Sequence, residues 1–315
     1  MVGALNKQGL VSIKRGSELL GYSEQSYHKR ERIKGEQATK ALNLDTLIKE
    51  GIREIRERMP KIGGEKLWVL LRGELRNKGF GIGRDKFVGL YADLGFRLKK
   101  RKRRRKTTDS SNWHNQFEDL RKDLIPTRPE QLMVGDITYI DTEAGDAYMP
   151  LITDAYSKML MGYEVSHRMR AEECLVALRM SIKNRQYEGI CIHHSDRGNQ
   201  YISQAYTRVA HSNGFISSTT QDGSPYDNAV AERINRIIKE EFGFDGMTRK
   251  FKNAWEAKEV MKQVVVIYNK ERPHMSNHML TPFQMHQQQE LRIKTWSKRR
   301  KQQTNTTDDI KKILL

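Results

Sequence analysis

Near residue 128 the spacing of apolar residues drops from a helical period to a period of two, and that change bounds the fold. QLMVGDITYID (131–141) alternates and is rich in β-branched and aromatic residues, so it reads as a strand. DAYMPLITDAYSKMLMGYEVS (146–166) reads as two more strands joined by a turn around Ala155 to Lys158. A helix follows over 170–186, then the short buried strand GICIHHSD, a helix ending at Gly214, and the strand FISSTT. SPYDNAVAERINRIIKEE (224–241) is a further helix, with Asp227 as its simplest N-cap. The order β-β-β-α-β-α-β-α predicts an α/β domain with a mixed five-stranded sheet over residues 128–290. A last helix, about Asn253 to Asn269, completes it.

The upstream chain has a different texture. A short helix from Ile13 to Leu20 ends at Gly21, and Ser23 caps a second that runs to about Ile33. Residues 1–38 therefore read as a small helix-turn-helix module, with Lys29 and Arg30 as candidate DNA contacts. A second such module is expected over 42–98. In LDTLIKEGIREIRERM, Leu47, Ile48, Ile52, Ile55 and Met59 share one helical face, and Pro60 stops it. GEKLWVLLRGEL and RDKFVGLYADL supply two more helices.

Residues 99–127 are a basic linker. The stretch Arg97–Lys106 holds nine basic residues in ten, half of the formal net charge of +18. A field that positive favours a polyanion, nucleic acid before membrane. Lys100, Arg101, Arg103, Arg104 and Arg105 are the linker's candidate phosphate contacts. Cys174 and Cys191 lack any paired spacing, so neither a disulfide framework nor a zinc knuckle follows. No apolar run is long enough for a bilayer and no signal peptide is visible, which predicts a cytoplasmic protein with no membrane partner. Residues 291–315 read as a basic disordered tail.

Three acids sit where an α/β fold places ligands. Asp136 lies within the first strand. Asp196 follows the strand GICIH, at its carboxyl end. Glu232 lies on the polar face of the 224–241 helix with Asn228, Asn235, Arg236 and Lys239, opposite the stripe of Val230, Ile234, Ile237 and Ile238. Three converging carboxylates would repel one another unless cations stand between them. Oxygen-only donors suit Mg²⁺, with Mn²⁺ as a substitute, and two such ions about 4 Å apart serve phosphoryl transfer. Each acid has a plainer reading as turn or capping chemistry, and Asp141, Asp154, Asp222 and Asp227 are rivals. His193 and His194 are adjacent in a strand, so they point to opposite faces and read as structural.

DITYI, HSDRGNQY and SPYDNAVAERINRIIKEE together resemble the catalytic core of the IS-three-type insertion-sequence transposases. Asp196 and Glu232 are separated by 35 residues, the D,D-35-E spacing of that group and of retroviral integrases. YNKERPHMSNHMLTPFQM (268–285) is similar to the stretch that closes the same core. The resemblance covers most of residues 10–288. It implies an RNase H-like core in which Asp136, Asp196 and Glu232 hold two Mg²⁺ ions and cut DNA at the element's ends. Transfer of the 3′-hydroxyl to target DNA would follow.

The resemblance further implies double-stranded DNA as partner, both terminal inverted repeats and target, in a bacterial, nucleoid-associated setting. The Glu232 helix would lie along terminal DNA, with Arg236, Lys239, Asn228 and Arg197 as contacts. A homo-oligomer, at least a dimer on DNA, would hold two ends. No heptad run precedes residue 45, which leaves open an upstream-frame partner protein carrying a leucine zipper, or a branch that needs none. A nuclease of the RNase H type and a DNA-binding regulator with a silent core are the alternative readings.

Overall fold

A computed structural model describes residues 2–98, 117–122, 124–221 and 228–294. The chain groups into two compact units. One comprises Met1–Asp109 with Arg236–Lys250, the other Ser110–Asn235 with Phe251–Leu315. The basic run at 100–105 and most of the expected tail lie outside the described residues, as do Asp222 and Asp227.

The first unit holds helices α1 (Val2–Lys7), α2 (Ile13–Leu19), α3 (Glu24–Arg58), α4 (Gly64–Asn77) and α5 (Arg84–Asp93). Ser12 and Ser23 cap α2 and α3 through their side chains. The break expected near residue 33, and again between 38 and 42, is absent: α3 is one helix of 35 residues. The physical reason is local. The segment 29–46 lacks proline, is rich in strong helix formers, and carries i,i+3 and i,i+4 pairs such as Lys34–Glu31 and Arg32–Glu36. Gly35 alone costs about 1 kcal/mol, too little to interrupt them. Ile48, Ile52, Ile55, Met59, Leu67, Leu71, Phe87 and Tyr91 are buried, as the apolar stripes require. Lys66 forms an ion pair with Glu241 at 2.8 Å.

The second unit is built on a five-stranded sheet in the order β3-β2-β1-β4-β5. The strands are β1 (Leu132–Thr142), β2 (Gly145–Asp154), β3 (Leu160–Tyr163), β4 (Cys191–Ser195) and β5 (Phe215–Thr219). The first three form an antiparallel meander, while β4 and β5 run parallel to β1. Helices α6 (Ala171–Asn184), α7 (Asn199–Ile202) and α8 (Gln204–His211) come between the parallel strands; α9 (Ala229–Phe242), which belongs to this unit only as far as Asn235, α10 (Ala254–Lys270) and α11 (Pro282–His286) follow. This mixed sheet with its crossover helices is the RNase H-like arrangement expected from the sequence. Met133, Ile152, Met161, Cys174, Leu178 and Tyr206 belong to the core on one face of the sheet. Leu132, Val134, Ala155 and Ala231 form the core on the other.

A buried ionic cluster ties α11 and the segment before β1 to the sheet. His286 of α11 lies 3.2 Å from Glu130 and 3.5 Å from Asp154, and its Nδ1 is 2.9 Å from the Ser157 hydroxyl. Arg185 and the Gln186 amide also donate to Glu130. Burial alone would lower the His286 pKa; hydrogen bonds and charge from Asp154 and Glu130 outweigh it and push it up to about 9. Burial alone would raise Glu130 and Asp154; contacts with His286, together with bonds from Gln186 and Arg185 to Glu130 and from Ser157 to Asp154, outweigh it and hold both below their ordinary values.

The raised histidine contributes stability that is complete below its ordinary pKa of about 6.5 and lost as pH rises through about 9. The two acids contribute stability above the usual carboxylate range, which is lost on acidification. We therefore expect the melting temperature to fall by a few degrees as pH rises from neutrality past 9. His286→Gln should lower the neutral value and flatten that alkaline fall. A wild-type curve flat across the interval contradicts a charged His286.

Candidate active site

The register of the sheet fixes where the first two acids stand. β1 pairs with β4 only over Leu132–Val134, with Val134 opposite His194. Beyond that point the two strands separate. Asp136 lies two residues past Val134, and Asp196 lies two past His194, immediately after β4 ends. Continued two residues, the parallel register makes them level, Asp136 within β1 just past its pairing with β4 and Asp196 at the carboxyl end of β4.

The third acid comes from α9. Asn228, Glu232 and Asn235 are spaced i, i+4, i+7, one face of a helix. The Asn228 amide donates to the Gly135 carbonyl at 3.0 Å. The Asn235 amide donates to Asp136 Oδ2 at 2.6 Å. Between these two anchors lies Glu232. Ala231, packed with Leu132 and Val134, sets the helix against the same face of β1 that carries Asp136.

The electrostatics report the convergence. Burial, first, and then the charges of Asp196 and Glu232 push the Asp136 carboxyl up to about 7; bonds from the Ile137 and Asn235 N–H groups only partly offset them. Asp196 is exposed as a residue, yet the partial desolvation of its carboxyl by the surrounding chain also raises it, opposed by a 3.0 Å bond from the Gly198 N–H. A carboxyl raised by two neighbouring carboxylates lacks positive charge, and all three acids offer only oxygen. Such a donor set fits a hard divalent cation. As the side chains stand, no group of three or more His, Cys, Asp or Glu among the described residues is gathered closely enough to hold a metal. Asp136 instead spends both oxygens on N–H donors.

The rival acids have other surroundings. Asp154 is in the His286 cluster, and Asp141 is exposed opposite Asp146 at the far end of the β1–β2 hairpin. His193 bonds Tyr206 and His194 bonds Ser218, both histidines buried, as strand alternation suggested.

The expected DNA contacts are scattered. Asn228 is buried and its amide is spent on Gly135, so it does not face solvent. Arg197 is half-buried and donates to the Thr220 carbonyl at 2.9 Å. Arg236 is exposed and Lys239 is half-buried. Lys29 and Arg30 are exposed on α3, Arg30 with its guanidinium 4.9 Å from the centre of the Tyr22 ring. Sequence reasoning had no role for Asn235. Its place three residues after Glu232 was the available signal, since it puts the amide on the same face.

Comparison with known proteins agrees with this architecture. Residues 126–225 match the Integrase core domain family, and residues 213–282 match a second family of the same description. The chain is 32% identical over 216 residues to the insertion element IS600 uncharacterized 31 kDa protein of Shigella sonnei, covering 67% of this chain and 78% of that one. It is 32% identical over 193 residues to the transposase for insertion sequence element IS904 of Lactococcus lactis, covering 59% of this chain and 71% of that one. It is 35% identical over 185 residues to the putative transposase for insertion sequence element IS986/IS6110 of Mycobacterium tuberculosis. That match covers 57% of this chain and 65% of the relative, just under two thirds of its length. Among the described residues no helix is long and apolar enough to cross a membrane.

Proposed function

Because this chain belongs to the insertion-sequence transposases with an integrase core, we propose that it cuts DNA at the ends of its element and joins the freed 3′-hydroxyl to target DNA. The observation that carries the reading is the way Asn228 and Asn235 fasten α9 across β1, with Glu232 between them and its charge, with that of Asp196, acting on the half-buried Asp136 carboxyl. Asp136, Asp196 and Glu232 would hold two divalent cations, Mg²⁺ or Mn²⁺. When bound, the cations would lower the pKa of the attacking water or 3′-hydroxyl and neutralise the leaving 3′-oxygen.

The protein's own groups do the positioning. Asn235 and the Ile137 N–H fix the orientation of Asp136. The Gly198 N–H fixes Asp196. Asn228 pins the start of α9 to β1, so Glu232 approaches from a set direction. In each chemical step one P–O bond forms to the attacking oxygen as the bond to the leaving 3′-oxygen breaks, and no covalent protein intermediate is required. DNA duplexes carrying the terminal repeats, target DNA and at least a dimer of this chain are the implied assembly. An upstream-frame protein partner belongs to the same proposal.

The test uses the full chain, Mg²⁺, labelled terminal-repeat DNA and a target plasmid. We expect joined products that disappear when the metal is chelated. Cleavage without joining would favour a nuclease, and binding without either would favour a regulator with a silent core.

A further inference from the structure

Joining brings two DNA segments to the same acids, so the second must arrive on a side that α9 leaves open. α9 occupies the face of β1 that carries Leu132, Val134 and Asp136. Towards the other side stands the Ser166–Arg170 loop between β3 and α6. Here His167, Arg168, Met169 and Arg170 are four consecutive exposed residues, with Met169 43% exposed.

This loop is held in place. Ser166 and Tyr148 exchange two backbone hydrogen bonds, of 2.7 and 3.0 Å. The Arg168 N–H donates to the Ser166 hydroxyl, and the Arg170 N–H donates to the Glu173 carboxylate. At the tip, the Met169 carbonyl accepts from the Gln200 side chain at 3.3 Å. Gln200 lies in α7, which follows directly on the Asp196–Gly198 turn. A Cβ on Gly198 would stand 3.0 Å from both Asp196 Oδ1 and Gln200 Oε1, so those two side chains crowd one backbone position. The loop is thus fastened, through one side chain, to the helix that continues from the turn orienting a candidate catalytic acid.

Building on the strand-transfer reading, we propose that the Ser166–Arg170 loop seats the target duplex. Arg168 and Arg170 neutralise phosphates beside the acids, and Met169 enters the groove between them as an apolar wedge. A basic–apolar–basic tip has the chemistry of minor-groove wedges, which unstack a base step and bend the duplex. Bending opens the backbone on its outer side, where an attacking 3′-hydroxyl must approach the phosphorus. Easily unstacked pyrimidine–purine steps then become the preferred sites.

The experiment compares the full-length wild type with Arg168→Glu/Arg170→Glu and with Met169→Ala. The first readout is joining of pre-cleaved end DNA to plasmid, against cleavage of uncleaved ends. The double variant should join at least about tenfold less while cleaving within about twofold of wild type. Met169→Ala should join but spread its insertions away from flexible steps. The second readout is the salt dependence of binding to a nonspecific duplex, whose log–log slope should shrink by about two in the double variant. Arg168→Gln/Arg170→Gln, with a smaller effect of the same sign, guards against misfolding.

Wild-type joining and an unchanged slope in the double variant would overturn the proposal. If the wild type itself neither cleaves nor joins, the strand-transfer reading fails. The salt slope, which needs no chemistry, then still decides whether the loop binds duplex DNA.

Discussion

Glu232→Gln should abolish end cleavage and joining, lowering either rate by about 10³-fold or more, while the protein stays folded and still binds terminal DNA. The size follows from the role proposed for the carboxylate. A ligand that helps hold the cations at the reacting phosphate accounts for several kcal/mol of transition-state stabilisation, and roughly 4 kcal/mol is a thousandfold. The fold should survive because Gln keeps the shape of Glu and because the glutamate's charge is unfavourable to its neighbour. That charge helps raise the half-buried Asp136. Removing it relieves like-charge repulsion, so the melting temperature should be no lower than that of wild type. Asp136→Asn should behave alike in activity, since both would remove one anionic ligand. The measurements are turnover on labelled terminal-repeat DNA, a gel-shift affinity and a thermal melt. A Glu232→Gln protein that cleaves within tenfold of wild type would remove Glu232 from the site. A protein that loses cleavage together with its fold would make Glu232 structural.

Much of this site was legible in the sequence because its parts are local. A strand that alternates, an acid after an apolar strand and a helix with one apolar face each announce themselves within about ten residues. β1, β4 and α9 all lie where those patterns put them, and the 35-residue spacing ties two of the acids together. What stayed hidden depends on contacts between distant segments. Asn235 acquires its role only because α9 lies across β1, 99 positions away in sequence. The His286 cluster joins residues 156 apart. Helical period puts Asn235 on the face of Glu232 but does not name Asp136 as its partner, and no period or motif marks the His286 cluster.

The error at α3 has the opposite origin. Ser23 and the basic residues after it suggested a compact module, whereas uninterrupted helical propensity carried the helix on to Arg58. In α9 the apolar stripe was read as one surface, yet residues 229–235 belong with the sheet and 236–242 with the helical unit. Amphipathicity says that a face is covered and leaves open by what.

Gly162→Ala should be among the most destabilising single-methyl additions in the molecule, and Gly89→Ala should have the opposite sign. Gly162 sits in β3 beneath α6, and a Cβ there would lie 2.0 Å from the Ala177 carbonyl oxygen and 3.0 Å from the Ser181 amide nitrogen. Those are backbone atoms of a helix and cannot rotate aside. The helix is held close to the strand by its small residues and by Asn184, whose amide donates to the Met161 carbonyl at 2.9 Å. Relief therefore requires moving α6 bodily, which disturbs the core of Met161, Cys174, Ala177 and Leu178. Overpacking of this kind costs about 3 kcal/mol or more, roughly 10 °C in a domain of this size. Gly89 lies in the middle of α5 with nothing within 4 Å of its virtual Cβ. There the alanine gains about 0.5–1 kcal/mol from helix propensity alone. Thermal melts of the two variants beside wild type make the comparison. A Gly162→Ala protein as stable as wild type would mean that α6 and β3 are not packed as closely as described. The Ser166–Arg170 loop, which joins the two, would then lose its fixed position against Gln200 of α7.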